Sequence, residues 1–281
     1  MTLTAPRSLS DPRLGSLSLI RAEGTIRAAF SACGRASAIA RLYESGGYRL
    51  KFPKGAACEA VIVNTGGGMA GGDHFTLDLD VGDHANVTVT TQSAEKLYRA
   101  EDEISTIGLH LRVGQGGCLS WLPQEMIMFS GARLSRSLTM DVDAHASVLL
   151  YDSLVFGRIA MGERVNGGLL RDRWRIRRHN KLIFAEDTRL DQAIADTLDH
   201  KAVGAGARAL ATCVYIAPDA ETRLAEARQI LLNASCNCAA SAWNGMMVVR
   251  FLAHDPQDLR RSAADFLLRF RNTALPRVWQ C

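Results

Sequence analysis

From about residue 25 to residue 191 apolar and polar residues alternate with a period of two, and this pattern limits the possible folds most sharply. Val87 and Val89 alternate with Thr88 and Thr90; Ile107, Leu109, Leu111 and Val113 with Gly108, His110 and Arg112; Leu138, Met140 and Val142 with Thr139 and Asp141. A period of two places the apolar set on one face, so each run reads as a half-buried strand. Turn signals separate the runs: Gly82-Asp83, Gly114-Gln115-Gly116-Gly117, Gly131-Ala132 and Asn166-Gly167-Gly168. Short strands with hardly a helical segment between them describe an all-β body. A doubly wound α/β fold needs the intervening helices and is excluded.

The residues after about 210 behave differently. Residues 211–217 read as a strand, and Pro218-Asp219 as a turn and possible cap for a helix carrying Leu224, Ala227, Ile230 and Leu231. Residues 245–253 read as another strand, and Pro256–Arg271 as a second helix with Leu259, Ala263, Phe266, Leu267 and Phe270 on one stripe. That stripe suits core contact with the β body, with a partner-binding helix as the alternative. The expected organisation is one domain over residues 1–281. Its β body spans about 20–200, and a strand–helix–strand–helix extension over about 210–273 packs on it.

Five glycines fall within residues 64–73, NTGGGMAGGD. Gly66, Gly68 and Gly71 fit G-x-G-x-x-G, and Gly66 with Gly71 fits the start of a P-loop. Both motifs need a helix immediately afterwards, whose free N–H groups and dipole hold phosphate. Here the alternating run Phe75, Thr76, Leu77, Asp78, Leu79, Asp80 and Val81 follows, which is a strand. Gly72-Asp73 stands where a P-loop has Lys-Ser/Thr, and a carboxylate there repels phosphate. The segment is a strand, a glycine loop and a strand, carrying an acid.

With 281 residues, 47% of them hydrophobic, the chain can bury a full core. A net charge of +4 is too small to argue for nucleic acid. No apolar stretch is long enough to span a membrane, and the opening MTLTAPRSLSDPRLGSLSL lacks the apolar region of a signal peptide, so a cytoplasmic protein is expected. Seven dispersed cysteines suit reduced structural thiols. Cys236 and Cys238 form a C-x-C without the second ligand pair of a structural zinc site, and read as small buried residues in a loop.

No H-E-x-x-H or G-x-S-x-G is present, and His74 and His84, each beside an aspartate, read as solvated loop residues. Four segments concentrate polar and aromatic groups. The first is the glycine loop (Gly66, Gly67, Gly68, Gly71, Gly72) ending in Asp73-His74. The second, TTQSAEKLYR, holds Glu95, Lys96, Tyr98 and Arg99 and breaks the alternation, which suggests inward polar groups or a bulge. The third holds Trp121, Gln124 and Glu125, with Phe129, as an aromatic corner. The fourth, YDSLVFGR, holds Asp152, Gly157 and Arg158 and continues to Glu163. Asp152 interrupts an apolar run and must be half buried or more. A buried acid has to be paired, protonated or bound to a cation, and Arg158 and Arg99 are the partners considered for a salt bridge. Arg171, Arg173, Arg175 and Arg177 alternate with other residues and share one strand face, either a solvated face with facing carboxylates or a basic stripe for an acidic partner.

In this order, NTGGGMAGGD, TTQSAEKLYR, WLPQE…FSGA, YDSLVFGR followed by GE, and the closing LPRVW resemble urease accessory proteins of the UreD (UreH) type, from about residue 20 to the C-terminus. The resemblance implies an irregular right-handed β-helix or two-layer β stack with two C-terminal α-helices packed on it. It implies no enzyme but a nickel-insertion chaperone. Such a protein binds UreF and the GTPase UreG, docks on apo-urease, and passes transient Ni²⁺ through an interior tunnel with no tightly bound cofactor. A dimer of heterocomplexes assembled with UreF is implied, with no nucleic acid and no membrane. On the family pattern the tunnel positions correspond to Asp73, Asp152 and Glu186. Glu95 stands where members often carry a small hydroxyl residue, and either strengthens nickel affinity or pairs with Lys96. Glu163 is a further acid in the matching stretch. Two other readings compete: a scaffold that only holds partners, and a β-solenoid hydrolase using Asp73 and Asp152 as a carboxylate pair.

Overall fold

The computed structural model describes residues 21–34, 36–55 and 58–280; the opening stretch weighed above as a signal peptide, and Cys281, lie outside them. In chain order the strands begin with β1 (Glu23–Cys33), β2 (Ala36–Ser45), β3 (Tyr48–Lys51), β4 (Glu59–Asn64), β5 (His74–Val81) and β6 (Asn86–Thr91). They continue with β7 (Glu95–Leu97), β8 (Ser105–Val113), β9 (Cys118–Trp121), β10 (Met126–Met128), β11 (Arg133–Val142) and β12 (Ser147–Phe156). The last are β13 (Leu169–Arg178), β14 (Lys181–Asp191), β15 (Ala209–Ile216), β16 (Asn237–Trp243) and β17 (Met246–Ala253). The helices are α1 (Ile194–Asp199), α2 (Leu224–Leu231) and α3 (Pro256–Arg271).

The chain shuttles between two stacked sheets. The first has the order β14-β13-β11-β8-β5-β1-β2, the second β16-β17-β15-β12-β9-β6-β4-β3. Neighbours β1, β5, β8, β11 and β13 run parallel, as do β4, β6, β9 and β12, and antiparallel strands close each sheet. From β4 to β13 the main strands fall in alternate sheets, with the short β7 and β10 added to the second, which makes a β-solenoid of about four turns. The two-layer β architecture implied by the resemblance is therefore what the chain forms.

The alternation becomes two cores. Leu77, Leu109, Leu138 and Ile176 of the first sheet meet Val89, Leu119, Leu150 and Val214 of the second. On the far face of the second sheet, Tyr151, Val249 and Phe251 pack with Ala227, Leu259, Phe266 and Phe270 of the helices. Strand β12 is thus covered on both faces, which explains its nearly continuous apolar sequence. The α3 stripe is core contact, not a free partner-binding face. Asp255 caps the helix by accepting from the Gln257 amide at 2.8 Å, with Pro256 in the first turn.

Two elements depart from expectation. The extension contains a β16–β17 hairpin, so Cys238 lies in an edge strand instead of a loop. Its run NCAASAW is rich in small residues and carries no β-branched signal. Helix α1 is six residues long and has no side-chain cap, leaving little local signature. Asp219 likewise does not cap α2; it accepts a hydrogen bond from the Tyr215 hydroxyl at 2.8 Å.

Candidate functional site

Parity within the strands decides which side chains enter the gap between the sheets. Most are apolar, but a line of polar groups runs across the gap. At one end, Asn64 closes β4 and Glu95 opens β7. The Asn64 amide donates to Glu95 Oε1 at 2.8 Å and to the Tyr48 hydroxyl at 3.1 Å. Glu95 also bonds the Tyr48 hydroxyl, so its polar partners are Asn64 and Tyr48 and not the exposed Lys96. Burial raises the Glu95 carboxyl to about 7, against the two hydrogen bonds; the Asp73 charge adds to the rise. The inward polar group suggested by the broken alternation of TTQSAEKLYR is therefore Glu95.

From Glu95 a cavity of about 60 Å³ leads inward, lined by Trp121, Gln124, Arg136 and Asp152 among others. The Trp121 indole Nε1 is buried there without a protein partner. At the inner end, Arg136 of β11 spans the two sheets. Its Nη1 and Nη2 each donate to a different oxygen of Asp152, both at 2.8 Å. Its Nε and Nη2 donate to Asp172 at 2.9 and 2.5 Å. Arg136 and Asp172 are cross-strand neighbours in the first sheet, while Asp152 belongs to the second. The Trp174 indole donates to Asp172 at 3.0 Å. Side-chain exposure is 3% for Arg136 and 8% for each aspartate, so this ion-pair cluster is shut off from water. Burial pushes the Asp152 carboxyl up; Arg136 opposes this, but one guanidinium serves two carboxylates and burial prevails. For Arg136, burial works against the charge, yet the two carboxylates outweigh it and hold the guanidinium firmly protonated. The ion pair foreseen for Asp152 therefore exists, but with Arg136 in place of Arg158 or Arg99.

Beyond Asp152 the line continues through its cross-strand neighbour Thr212 to Arg250. Arg250 donates to the Thr212 hydroxyl at 2.8 Å and to Glu186 Oε1 at 2.7 Å, and closes a fork on the second Glu186 oxygen. Glu186 sits on β14 opposite Trp174, with its side chain 22% exposed, and brings the line to the edge of the gap. The structure thus joins Glu95 and Asp152 through one cavity and places Glu186 at the far end. The members not singled out from sequence are Arg136, Asp172, Arg250, Tyr48 and Asn64. A signal for two of them existed: Arg136 and Asp172 occupy positions of the same parity as Leu134, Leu138, Leu170 and Trp174.

The other predicted positions surround this line. Asp73 accepts from the Ala22 amide on Oδ1 and the Ala70 amide on Oδ2, both at 2.8 Å, fastening the glycine loop near Glu95. That loop carries the chain from the second sheet to the first and is pinned under Tyr98, whose hydroxyl donates to the Gly67 carbonyl at 3.0 Å. A Cβ on Gly68 would lie 2.5 Å from the Tyr98 ring at a φ of +153°, so glycine is required there, between Gly66 and Gly67 on one side and Gly71 and Gly72 on the other. Arg99 bridges Ala132 through the backbone. Gln124 is buried and bonds Arg260 and the Val278 carbonyl, and Glu125 pairs with Arg260 at 2.9 Å. Both tie the third segment to α3 and the C-terminal turn. Glu163 accepts from the Arg158 amide at 2.9 Å and from its guanidinium at 2.9 and 3.0 Å. Those bonds lower its carboxyl to about 2 and close the loop that follows Gly157. On β13, Arg173 and Arg175 point outward and pair with Asp187 at 3.0 and 3.6 Å, a solvated face with a facing carboxylate.

No three His, Cys, Asp or Glu side chains converge into a metal-holding group among the described residues, and no helix among them is long and apolar enough to cross a membrane. The six described cysteines are free.

Comparison with known proteins adds a family likeness over the whole described chain. The family described as "UreD urease accessory protein" matches residues 22–280. A "Urease accessory protein UreD" of Xanthobacter autotrophicus is 45% identical, covering 99% of each chain. Proteins of the same name from a Methylobacterium species and Azorhizobium caulinodans are 44% and 42% identical, over 92% of this chain and 95% and 96% of their own.

Proposed function

We propose, on the premise that this chain belongs to the UreD family of urease accessory proteins and so serves urease maturation, that it works as a nickel-insertion chaperone and conducts Ni²⁺ along the polar line between its sheets. A urease accessory protein is a maturation factor and not an enzyme, and the hydrolase reading is set aside on a second ground as well: the oxygens of Asp73 and Asp152 are already committed to backbone amides and to Arg136.

The observation that carries the reading is the line of acids in an otherwise apolar gap: Glu95 at one end, Asp152 in the middle and Glu186 at the far edge. Asp73 stands at the Glu95 end; Glu163 serves by shaping the loop after Gly157. Such a line is costly to bury, since each carboxylate loses water that its partners must replace. Spaced carboxylates hold a divalent ion loosely, whereas a Cys/His cluster would trap it. Conduction needs sites strong enough to admit an ion and weak enough to release it. The ion is cargo, so no tightly bound cofactor is expected. UreF, UreG and apo-urease are the partners, in a dimer of heterocomplexes built on UreF.

The test is activation of apo-urease in a reconstituted system containing UreF, UreG, GTP, nickel and bicarbonate. Asp152→Asn and Glu186→Ala are each expected to lower activation at least ten-fold while the complex still forms on a sizing column. Full activation by both variants would leave a scaffold that holds partners and conducts nothing. Activation without this chain would overturn the whole reading.

A further inference from the structure

We propose that Arg136 is the internal gate of this passage: its guanidinium occupies the seat of a divalent cation between Asp152 and Asp172, and an ion proceeds only when that side chain moves aside. The proposal rests on the nickel-passage reading above and names the group that regulates it.

Geometry makes the guanidinium a placeholder. Both oxygens of Asp152, the central acid of the passage, are already occupied by Arg136 at 2.8 Å. The same side chain takes both oxygens of Asp172 through Nε and Nη2. An ion arriving through the cavity from Glu95 meets Arg136 and Asp152 together in its wall, with both Asp152 oxygens already held by the guanidinium, and Asp172 is not part of that wall. The cavity also supplies room on one side of the guanidinium, next to the unpartnered Trp121 Nε1. A planar fork suits this duty because it bonds all four oxygens of the two carboxylates at once, which the three donors of an ammonium cannot match.

Charge gives the gate its selectivity. One guanidinium and two carboxylates leave the closed cluster with a net charge of −1 if all are ionised. Exchange of the guanidinium for a divalent cation brings the cluster to zero. Exchange for a monovalent cation leaves it at −1, so the charge of the cluster gains nothing from it. In a low-dielectric interior the uncompensated charge weighs heavily, so divalent ions displace Arg136 and sodium or potassium do not. The displaced guanidinium can turn toward Glu95, the other acid lining the cavity.

Arg136→Gln tests the seat and Arg136→Lys tests the gate. The Gln variant leaves Asp152, Asp172 and an amide oxygen facing one another. It is expected to bind one Ni²⁺ per chain at least ten-fold more tightly than the wild type in equilibrium dialysis. Its melting temperature should rise with nickel and not with sodium. Adding Asp152→Asn should abolish the gain. A folded Arg136→Gln chain with wild-type nickel affinity overturns the proposal. The Lys variant keeps the charge but loses the fork, and is expected to activate urease several-fold faster at limiting nickel. If Arg136→Gln does not fold even with nickel, the Arg136→Lys rate decides, and a wild-type rate overturns the gate. Failure of the gate alone is a wild-type Arg136→Lys rate together with loss of activation in Asp152→Asn and Glu186→Ala. Failure of the passage reading is full activation in those last two variants, whatever the Arg136 variants do.

Discussion

Replacing Glu95 by Gln should leave stability little changed at low pH and raise it progressively as the pH climbs to about 7. Burial holds the Glu95 carboxyl at about 7 in the fold, against an ordinary value of 4.5. The raised value means that the folded chain keeps a proton which the unfolded chain releases. Glu95 therefore contributes stability that is full below 4.5 and is lost as pH rises to about 7. At about 1.4 kcal/mol per pH unit, ionising Glu95 inside the fold costs on the order of 3 kcal/mol. Gln has the same shape, accepts the Asn64 bond through its own oxygen, and does not titrate. Urea unfolding of both proteins between pH 5 and pH 8 isolates the effect, because every other group titrates in both. The Gln variant should gain about 2–3 kcal/mol over the wild type across that range. Parallel pH profiles would refute the buried, protonated Glu95, and a wild type that gains on the variant would reverse its sign.

Two further predictions concern parts that hold the passage in shape. Trp279 is buried, donates to the Leu122 carbonyl at 3.0 Å and packs its ring edge-on with Tyr151 at 5.4 Å; Trp279→Ala should cost about 3–5 kcal/mol in urea unfolding, and a loss under about 1 kcal/mol would show that the C-terminal turn is not part of the core. Gly157 sits at a φ of +89°, and a Cβ there would lie 2.7 Å from the Glu163 carbonyl oxygen; Gly157→Ala should lower the melting temperature through about 1–3 kcal/mol of backbone strain, and an unchanged melting curve would show that the loop relaxes freely.

Much of the fold was legible because strand parity is a local property. The alternation assigned the β body, and the 256–271 stripe marked α3 at its observed bounds. The strand that follows the glycine loop is enough by itself to rule out a P-loop or G-x-G-x-x-G site in that loop, since a phosphate would find no helix N-terminus there. Where the local signal is faint, in the small-residue strand β16 and the short α1, neither element could be assigned from its residues. Glu186 came into view through family resemblance alone, since nothing around it in the sequence marks it.

Alternation along each strand is enough to tell which side chains turn inward: Asp152 within an apolar run is buried whatever it faces, because every second residue of a strand shares one environment. Parity says which face a residue occupies and nothing about what stands opposite. Asp152 found Arg136, 16 positions back along the chain, and Arg136 found Asp172, 36 positions on; Glu186 met Arg250 across 64. Those meetings were decided by the order and register in which solenoid strands stack into facing sheets. Order and register arise from the summed packing of every strand and are encoded near no single residue.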